Sequence, residues 1–448
     1  MANVDLLKGP IDSSLRKFSL PLTISFLIHM LYAWVDMFYV SRIGTNAIAA
    51  VGVGEQLLFF SFGIGIGFGV GTGIIVARRV GEQNFKKAGE TAAQGLVFMF
   101  IFAIAIALTL NLSLSFMLDL LNLKGEVRLL AYDYLSVISY GIPFNFLIFQ
   151  VNSMIRSTGN SFIPMLILIT ANVINAILAP LFIFGLGPFP EWGVYGAGFA
   201  AALSQATGSI IALIILFGYY KKIEITYKNF KFDFTIIKKI LRLGVPASLQ
   251  VVSISVNRMI LTWMTNLFGI AVLTTYMIGL RVDLFVFMSI FAVGVAIEII
   301  TGQNLGAGQV DRIFKFHKSA IKQISYLMIF LCILVFFFGK YFTMFFTLDT
   351  EIIGMTDNYL KIISFSYLFF AIGLISIRVI SGAGDYFRSL KLVIIVLYFF
   401  QLPLAYILSH YTGLEEYGIW IAILMSQILF AGIGILSLQK KRWLKVKI

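Results

Sequence analysis

The sequence predicts an all-α membrane protein with twelve transmembrane helices in two six-helix lobes, and three observations support this fold class. The 448 residues are 59% hydrophobic and only 12% charged, whereas a soluble domain carries about 25% charged residues. Apolar segments divided by charge and turn signals are long enough to cross a bilayer, for which about 20 residues suffice. The second half of the chain also repeats the pattern of the first.

Twelve apolar segments of spanning length follow one another along the chain. The first is too long for the apolar region of a signal peptide, so we interpret it as a retained span. The predicted spans are 18–41, 46–78, 88–118, 127–157, 162–186, 194–219, 236–265, 271–304, 315–346, 353–382, 388–410 and 416–438.

The basic residues predict the orientation of these spans. Of the 34 Lys and Arg residues, 26 fall at the two termini and in the connections after the second, fourth, sixth, eighth and tenth spans, and five lie in the other connections. The positive-inside rule then places both termini in the cytoplasm, and we expect a multi-pass protein of the inner (plasma) membrane. Basic clusters beside spans are topology and lipid-headgroup signals, so the net charge of +13 does not indicate a nucleic-acid partner.

An internal repeat relates the two halves at a constant shift of 225 residues. Each half has six spans, an even number, so both copies insert in the same orientation and are related by an axis along the membrane normal. This predicts an N-terminal lobe over 1–218, a cytoplasmic linker over 219–235 and a C-terminal lobe over 236–448, a transporter architecture with alternating access. The matching pairs are Pro21/Pro246, Gly44/Gly269, Gly54/Gly279, Gly69/Gly294, Gly81/Gly306, Gly159/Gly384 and Gly193/Gly418.

One carboxylate, Asp36, interrupts the first span eight residues before Gly44. A carboxylate at the centre of a membrane helix costs about 2.5–3.5 kcal/mol on insertion scales and is a functional-site hypothesis by default. No cationic partner is evident in its lobe, and a low dielectric favours the protonated form of an unpaired acid. Asp36 therefore suits a site that alternately binds H⁺ or Na⁺. The alternative is a carboxylate that hydrogen-bonds nearby Tyr or Asn side chains and has no transport role.

Further polar residues are expected at comparable depth in both lobes. Asn172 and Asn175 on the fifth helix could serve a Na⁺ ion or a protonated acid, or could make interhelical hydrogen bonds worth about 0.6 kcal/mol. In the second lobe, Arg258 and Asp283 are expected to form a structural ion pair beside Arg281. The predicted substrate-cavity residues are Glu55, Asn257, Arg258 and Asp283.

Two further residues are candidates for gating or coupling. Pro21 removes a hydrogen bond near the start of the first helix and permits a kink there. Glu298 stands between branched apolar residues, although it could instead lie near the cytoplasmic interface. Arg378, near the cytoplasmic end of the tenth helix, is expected to snorkel to the headgroups.

The sequence contains no motif typical of a catalytic or nucleotide-binding site. The glycine run from Gly63 to Gly73 lies in mid-span, where alternate glycines let neighbouring helices approach, and it does not follow a strand as a nucleotide loop would. No Walker motif, metal-spaced His/Cys cluster or nucleophile elbow is present, and the single Cys332 excludes an intramolecular disulfide. We therefore expect no enzyme, no cofactor and no ATP-driven transport by this chain alone.

Six motifs spread over the whole chain resemble the multidrug and toxic compound extrusion (MATE) family. The motifs are DMFYVSRIG at 36–44, NAIAAVG at 46–52, RSTGN at 156–160, IFGLG at 183–187 followed by Gly193-Val194, TGQNLGAG at 301–308 and SGAGD at 381–385.

The resemblance implies twelve helices in two lobes and export of mostly cationic, amphipathic compounds coupled to inward Na⁺ or H⁺ flow. It matches a family Asp on helix one to Asp36, a family Asn on helix five to Asn175, and a family bend in helix one to Pro21. The chain departs from the family pattern at Ala179, where helix five usually has an Asp, and at Ala201, where helix six often has a Thr. Both departures remove oxygen donors, which favours H⁺ over Na⁺.

The leading hypothesis is therefore a monomeric antiporter in the lipid bilayer, exporting small molecules in exchange for H⁺ (or Na⁺), with Asp36 as its coupling carboxylate. The alternative is a flippase of a lipid-linked precursor in the same superfamily. Such a protein is expected to have a more cationic cavity, and Arg258 and Arg281 leave that alternative open.

Overall fold

The computed structural model of the protein describes residues 4–220 and 223–446, without the side chains of residues 32, 33, 59–62 and 219. The described chain is helical and contains no strand. Eleven of its helices, with one bent helix pair, are long and apolar enough to cross a membrane. This confirms the predicted fold class. The ends of the predicted lobes (1–3 and 447–448) and part of the predicted linker (221–222) lie outside the described residues.

The membrane helices are numbered in chain order. They are α1 (Ile11–Ser41), α2 (Thr45–Gly81), α3 (Phe85–Leu120), α4 (Gly125–Ser157), α5 (Phe162–Phe184), α6 (Gly193–Gly218), α7 (Phe234–Asn266), α8 (Ile270–Gly306), α9 (Val310–Met344), α10 (Thr350–Ser364 with Ser366–Gly382), α11 (Tyr386–Tyr411) and α12 (Glu416–Gln439).

Two helices begin five or more residues earlier than the sequence predicts. Helix α1 starts at Ile11 rather than at residue 18, and α9 starts at Val310 rather than at residue 315. Hydropathy marks only the lipid-embedded part, whereas a helix continues through polar residues where capping and charge support it. Asp12 and Asp311 lie in the two first turns, where a carboxylate interacts favourably with the helix dipole.

Helices α4, α10 and α11 are irregular within the span. Helix α4 contains a 3₁₀ turn at Ser139–Gly141 just before Pro143. Helix α11 contains a π-helical segment at Ile395–Gln401 just before Pro403. Proline has no N–H to donate to the carbonyl four residues earlier, so the regular hydrogen-bond ladder is interrupted there. Helix α10, predicted as one span over 353–382, instead bends by 43° between its two segments.

The repeat is visible in the backbone of the turns. Gly44 and Gly269 precede α2 and α8 with φ angles of 147° and 106°, and Gly159 and Gly384 follow α4 and α10 with φ angles of 92° and 95°. Side chains other than glycine rarely adopt these positive angles. The repeated glycines therefore fix the same turns in both halves of the chain.

The described chain forms two compact contact units. Of the described residues, unit 1 contains Ile24–Ser248 with Val4, and unit 2 contains Asp5–Thr23 with the chain from Leu249 to residue 446. The divisions after Thr23 and Ser248 are related by the repeat, and each falls two residues after a proline, Pro21 or Pro246. The predicted lobes divide the chain by its repeat rather than by contacts, and their boundaries stay a prediction.

The glycine run of α2 forms two close-packed stripes inside unit 1. The hydroxyl of Ser153 donates to the Gly69 carbonyl at 2.8 Å, and that of Ser157 donates to the Gly73 carbonyl at 2.7 Å. An added Cβ in either stripe would meet the neighbouring helix, which confirms the predicted close approach. Toward α4 the stripe is Gly65, Gly69 and Gly73, and toward the first part of α7 it is Gly67 and Gly71.

Two neighbouring glycines of α2 should respond differently to substitution. A Cβ on Gly54 would lie 2.7 Å from the Tyr134 ring, whereas a Cβ on Gly52 meets nothing within 4 Å. Gly54→Ala should lower the free energy of unfolding by about 1–3 kcal/mol through overpacking. Gly52→Ala should be neutral or stabilising by about 0.5–1 kcal/mol, because alanine favours a helix. Thermal denaturation of the purified variants in detergent measures both effects, and equal midpoints would contradict the packing.

Candidate functional site

Asp36 of α1 is a buried carboxylate in unit 1. Its side chain is 3% exposed, and its Oδ1 atom has no hydrogen-bond partner among the described residues. Val40, one turn later on the same face of the helix, belongs to the apolar core of the unit. The carboxylate therefore faces protein rather than water, and the helix leaves part of it unsatisfied.

A second carboxylate, Glu55 of α2, lies close enough to Asp36 for the two groups to repel one another electrostatically. Glu55 is half-buried. Two negative charges in a low-dielectric region raise each other's energy, and a cation or proton on either carboxylate relieves the repulsion. The arrangement can therefore hold one positive charge.

The two predicted asparagines differ in position on α5. Asn175 is 1% exposed and lies on the core-facing side, whereas Asn172 is half-buried. The Nδ2 atoms of both are buried without a hydrogen-bond partner in the described chain. Asn175 and Asp36 thus both face the core of unit 1 with unused hydrogen-bonding capacity.

Two residues of the core that Asp36 and Asn175 face have apolar side chains. Ala179 on α5 and Ala201 on α6 are fully buried in the same core cluster as Val40. Neither side chain can supply an oxygen ligand. Across the described residues, no group of three or more His, Cys, Asp or Glu side chains is arranged to hold a metal ion.

Unit 2 contains a buried carboxylate of a different kind. Asp283 of α8 accepts hydrogen bonds of 2.7 Å from the hydroxyls of Tyr359 and Tyr367, one to each oxygen. Within the described chain Asp283 forms no ion pair closer than 4 Å, so the predicted direct pairing with Arg258 is wrong, although Arg258 lies near enough to interact with Asp283 electrostatically. The two tyrosines on α10 supply the hydrogen bonds that a cation would otherwise provide.

The remaining candidates of the second half lie in separate surroundings within unit 2. The Arg258 guanidinium lies 5.5 Å from the centre of the Phe287 ring, and that of the exposed Arg281 lies 5.3 Å from the Phe346 ring. Asn257 is buried and donates to the Leu397 carbonyl at 3.4 Å. Glu55 belongs to unit 1, so a cavity shared by Glu55 and these residues stays a prediction.

Glu298 of α8 forms a buried ion pair with Arg378 of α10. Oε2 of Glu298 lies 3.0 Å from an Arg378 terminal nitrogen, and the two side chains are 3% and 12% exposed. The same nitrogen donates to the Tyr386 hydroxyl at 3.4 Å. The expectation that Arg378 snorkels to the headgroups is therefore wrong, because a nearer carboxylate neutralises it inside the protein.

Pro21 lies inside α1, which is helical throughout its length. The proline removes one backbone donor. The predicted bend at Pro21 stays a prediction.

Comparison with known proteins decides the family. The MatE family model matches residues 21–181 and 246–407. The chain belongs to the MatE family. The two matched segments begin at Pro21 and Pro246, the repeat-related prolines, so the family pattern itself occurs twice at the 225-residue shift. This confirms the resemblance described above.

Relatives of the MatE chain are similar over nearly their whole lengths. It is 28% identical over 425 residues to the probable multidrug resistance protein YoeA of Bacillus subtilis, covering 92% of this chain and 90% of the relative. It is 26% identical to the probable multidrug resistance protein NorM of Thermotoga maritima, covering 97% and 94%. A solved multidrug resistance MATE family transporter of the MOP superfamily, in an outward-facing conformation, matches with a TM-score of 0.93 and 26% identity, covering 100% and 99%. The chain is thus a multi-pass membrane transporter of the multidrug efflux family, whose members are transporters rather than enzymes.

Sequence reasoning missed the two tyrosines that bind Asp283. One signal was available: Tyr359 is the repeat partner of Tyr134, and each tyrosine packs against a repeated glycine, Gly279 or Gly54. Tyr367 follows Tyr359 by two helical turns and thus lies near the same face. Nothing in the repeat pointed to Tyr367, because its partner in the first half is apolar.

The buried ion pair predicts a strong asymmetry between single and double substitutions. Glu298→Gln leaves the Arg378 charge buried without its carboxylate, which should destabilise the protein by about 3–5 kcal/mol. Replacing both residues, as Glu298→Gln with Arg378→Met, removes the buried charge and should recover most of that loss. The measurement is the unfolding free energy in detergent; a double variant no more stable than Glu298→Gln would contradict a pairing role.

Proposed function

We propose that this MatE family transporter is a proton-coupled antiporter that exports cationic, amphipathic small molecules from the cytoplasm. The observation that carries the proposal is the buried Asp36 carboxylate, whose Oδ1 atom has no hydrogen-bond partner among the described residues. A site of this kind gains most from a proton, because protonation removes the buried charge. Asn175 serves as its polar neighbour.

The transport cycle alternates the protonation of Asp36. From outside, a proton binds the carboxylate and removes its repulsion with Glu55. On the cytoplasmic side, the proton leaves and the negative charge is restored for a cationic substrate. Two protein states with different affinity for the proton are sufficient to couple its inward flow to export. Pro21 and Glu298 remain candidates for residues that gate or couple this cycle.

Sodium is the less favoured coupling ion because of the two alanines. Na⁺ sites in transporters are built from several oxygen ligands, including backbone carbonyls. Ala179 and Ala201 are fully buried and provide no side-chain oxygen. A proton needs only the carboxylate itself.

The orientation follows from the distribution of basic residues. We place the chain in the plasma (inner) membrane as a monomer with both termini in the cytoplasm, since 26 of the 34 Lys and Arg residues lie in the connections on that side or at the termini.

Asp36→Asn should abolish export driven by a pH gradient in proteoliposomes. The amide keeps the shape of the carboxylate but cannot take up and release a proton near neutral pH. The matched control is Asp119→Asn, which neutralises an exposed carboxylate at the end of α3, paired with Arg128 at 2.9 Å. The control should retain export within about twofold, and both variants should elute as folded protein. Normal gradient-driven export by Asp36→Asn would contradict the assignment.

Restoring the missing oxygen donors should change the ion dependence. We expect the double variant Ala179→Asp with Ala201→Thr to acquire export driven by a Na⁺ gradient at constant pH, a gradient to which the parent does not respond. Ala179→Asn with Ala201→Val is the control of similar size without the added carboxylate. Export by the parent protein in response to the Na⁺ gradient would show that its own oxygen ligands suffice to bind Na⁺, and would contradict coupling to protons alone.

A second function, a flippase for lipid-linked anions, is favoured by one observation. Arg281 is exposed, and no described carboxylate of unit 2 lies within ion-pair distance of it or of Arg258, on which Asp283 acts only from farther away, so two cations are available there. The two functions are separated by assaying both substrates in one proteoliposome preparation: an organic cation and a fluorescent polyprenyl pyrophosphate. Translocation of the pyrophosphate without export of the cation would replace the antiporter proposal.

A further inference from the structure

A groove in unit 2 lies between the first part of α1 and the middle of α9. Its volume is about 470 Å³, and it is open along one side. Arg16 and Lys17 line it from α1, and Gln323 and Leu327 line it from α9. No part of the transport cycle proposed above uses these residues, so the groove needs a separate explanation.

The depth of the groove follows from helix geometry. About 20 residues cross the hydrocarbon core, at 1.5 Å per residue. Counted back from the outer ends of α1 and α9, the core ends near residues 22 and 325, by that estimate. Arg16 and Lys17 therefore lie at headgroup level, and Leu327 lies just inside the hydrocarbon. In the orientation proposed above, this boundary belongs to the cytoplasmic leaflet.

The headgroup end of the groove is cationic. Arg16 and Lys17 are exposed, and neither forms an ion pair with a residue that the structure describes. A nearby acid, Asp12, accepts a hydrogen bond from the Ser319 hydroxyl. On α9, the exposed side chains of Lys315, Lys318 and Lys322 add further positive charge at the same headgroup level.

The other end of the groove is apolar. Leu20 and Val293 line it together with Leu327, and Leu20 is 61% exposed. Beyond it, α9 presents large exposed apolar side chains, Phe330, Ile333 and Phe337. A free inorganic anion would leave this apolar half of the groove unused, whereas a lipid with an anionic headgroup matches both ends.

We propose that this groove binds one anionic phospholipid of the cytoplasmic leaflet. Arg16 and Lys17 hold the headgroup phosphate, and an acyl chain lies along Leu20 and Leu327. Basic pockets between membrane helices on the cytoplasmic side recognise lipid headgroups in this manner. The lipid would contact the same helix that carries Asp36.

The test measures lipid retention by native mass spectrometry of the detergent-solubilised full-length protein with added phosphatidylglycerol or phosphatidylcholine of identical chains. Each basic residue near the surface contributes about 1 kcal/mol to binding anionic lipid. Arg16→Gln with Lys17→Gln should therefore weaken binding of phosphatidylglycerol by roughly 30-fold, since 1.4 kcal/mol corresponds to tenfold. The matched control is Lys86→Gln with Lys87→Gln, an exposed basic pair at the start of α3 with the same change of charge.

A third variant tests the apolar end of the groove. Leu327→Trp keeps both cations but fills the space for the acyl chain, so it should also lose the bound lipid. Selective loss in the Arg16/Lys17 and Leu327 variants, with the control unchanged, supports the proposal. Equal losses of bound phosphatidylglycerol in the Arg16/Lys17 and Lys86/Lys87 variants would show that the effect is one of general surface charge, which would overturn the proposal. Retention of phosphatidylcholine as strong as that of phosphatidylglycerol, or unchanged binding in the groove variants, would overturn it.

Discussion

The cost of burying charge in a bilayer determines how the polar residues of this transporter are arranged. In unit 2 each buried acid has a partner for its charge: Asp283 accepts from two tyrosine hydroxyls, and Glu298 pairs with Arg378 through Oε2. In unit 1 Asp36 is buried to the same extent, yet it forms no ion pair with a described residue, and its Oδ1 atom lacks a hydrogen-bond partner there. Unsatisfied polar groups are expensive in the hydrocarbon region. A group left in that state is the one whose energy changes most when a proton binds.

The two halves share a scaffold but not a chemistry. Turn glycines and the contact between a tyrosine and a helix glycine recur at the 225-residue shift. The buried acids do not recur: the repeat partner of Asp36 is Leu261, and that of Asp283 is Leu58. Packing of small residues needs the same backbone in both copies, whereas a coupling acid is needed in only one. The repeat therefore specifies the architecture and leaves each copy free to carry different polar groups.

The fold was predictable because its signals are local. Span length, basic connections and turn glycines each depend on neighbouring residues, and the glycine stripes of α2 follow from a simple spacing. The partners of buried charges were not predictable, because they depend on which faces of distant helices meet. Opposite charge suggested Arg258 for Asp283, but the structure places tyrosine hydroxyls there. Helix position suggested snorkelling for Arg378, although a carboxylate on another helix lies closer than the headgroups.

We propose that Asp36 exchanges its proton with the solvent without sodium. Infrared difference spectroscopy of the protein in lipid, recorded as the pH is stepped in sodium-free buffer, measures this directly. The account predicts a carboxylic acid carbonyl band that disappears as the pH rises, is absent in Asp36→Asn and persists in Glu55→Gln. The same band at full amplitude in Asp36→Asn would contradict the account.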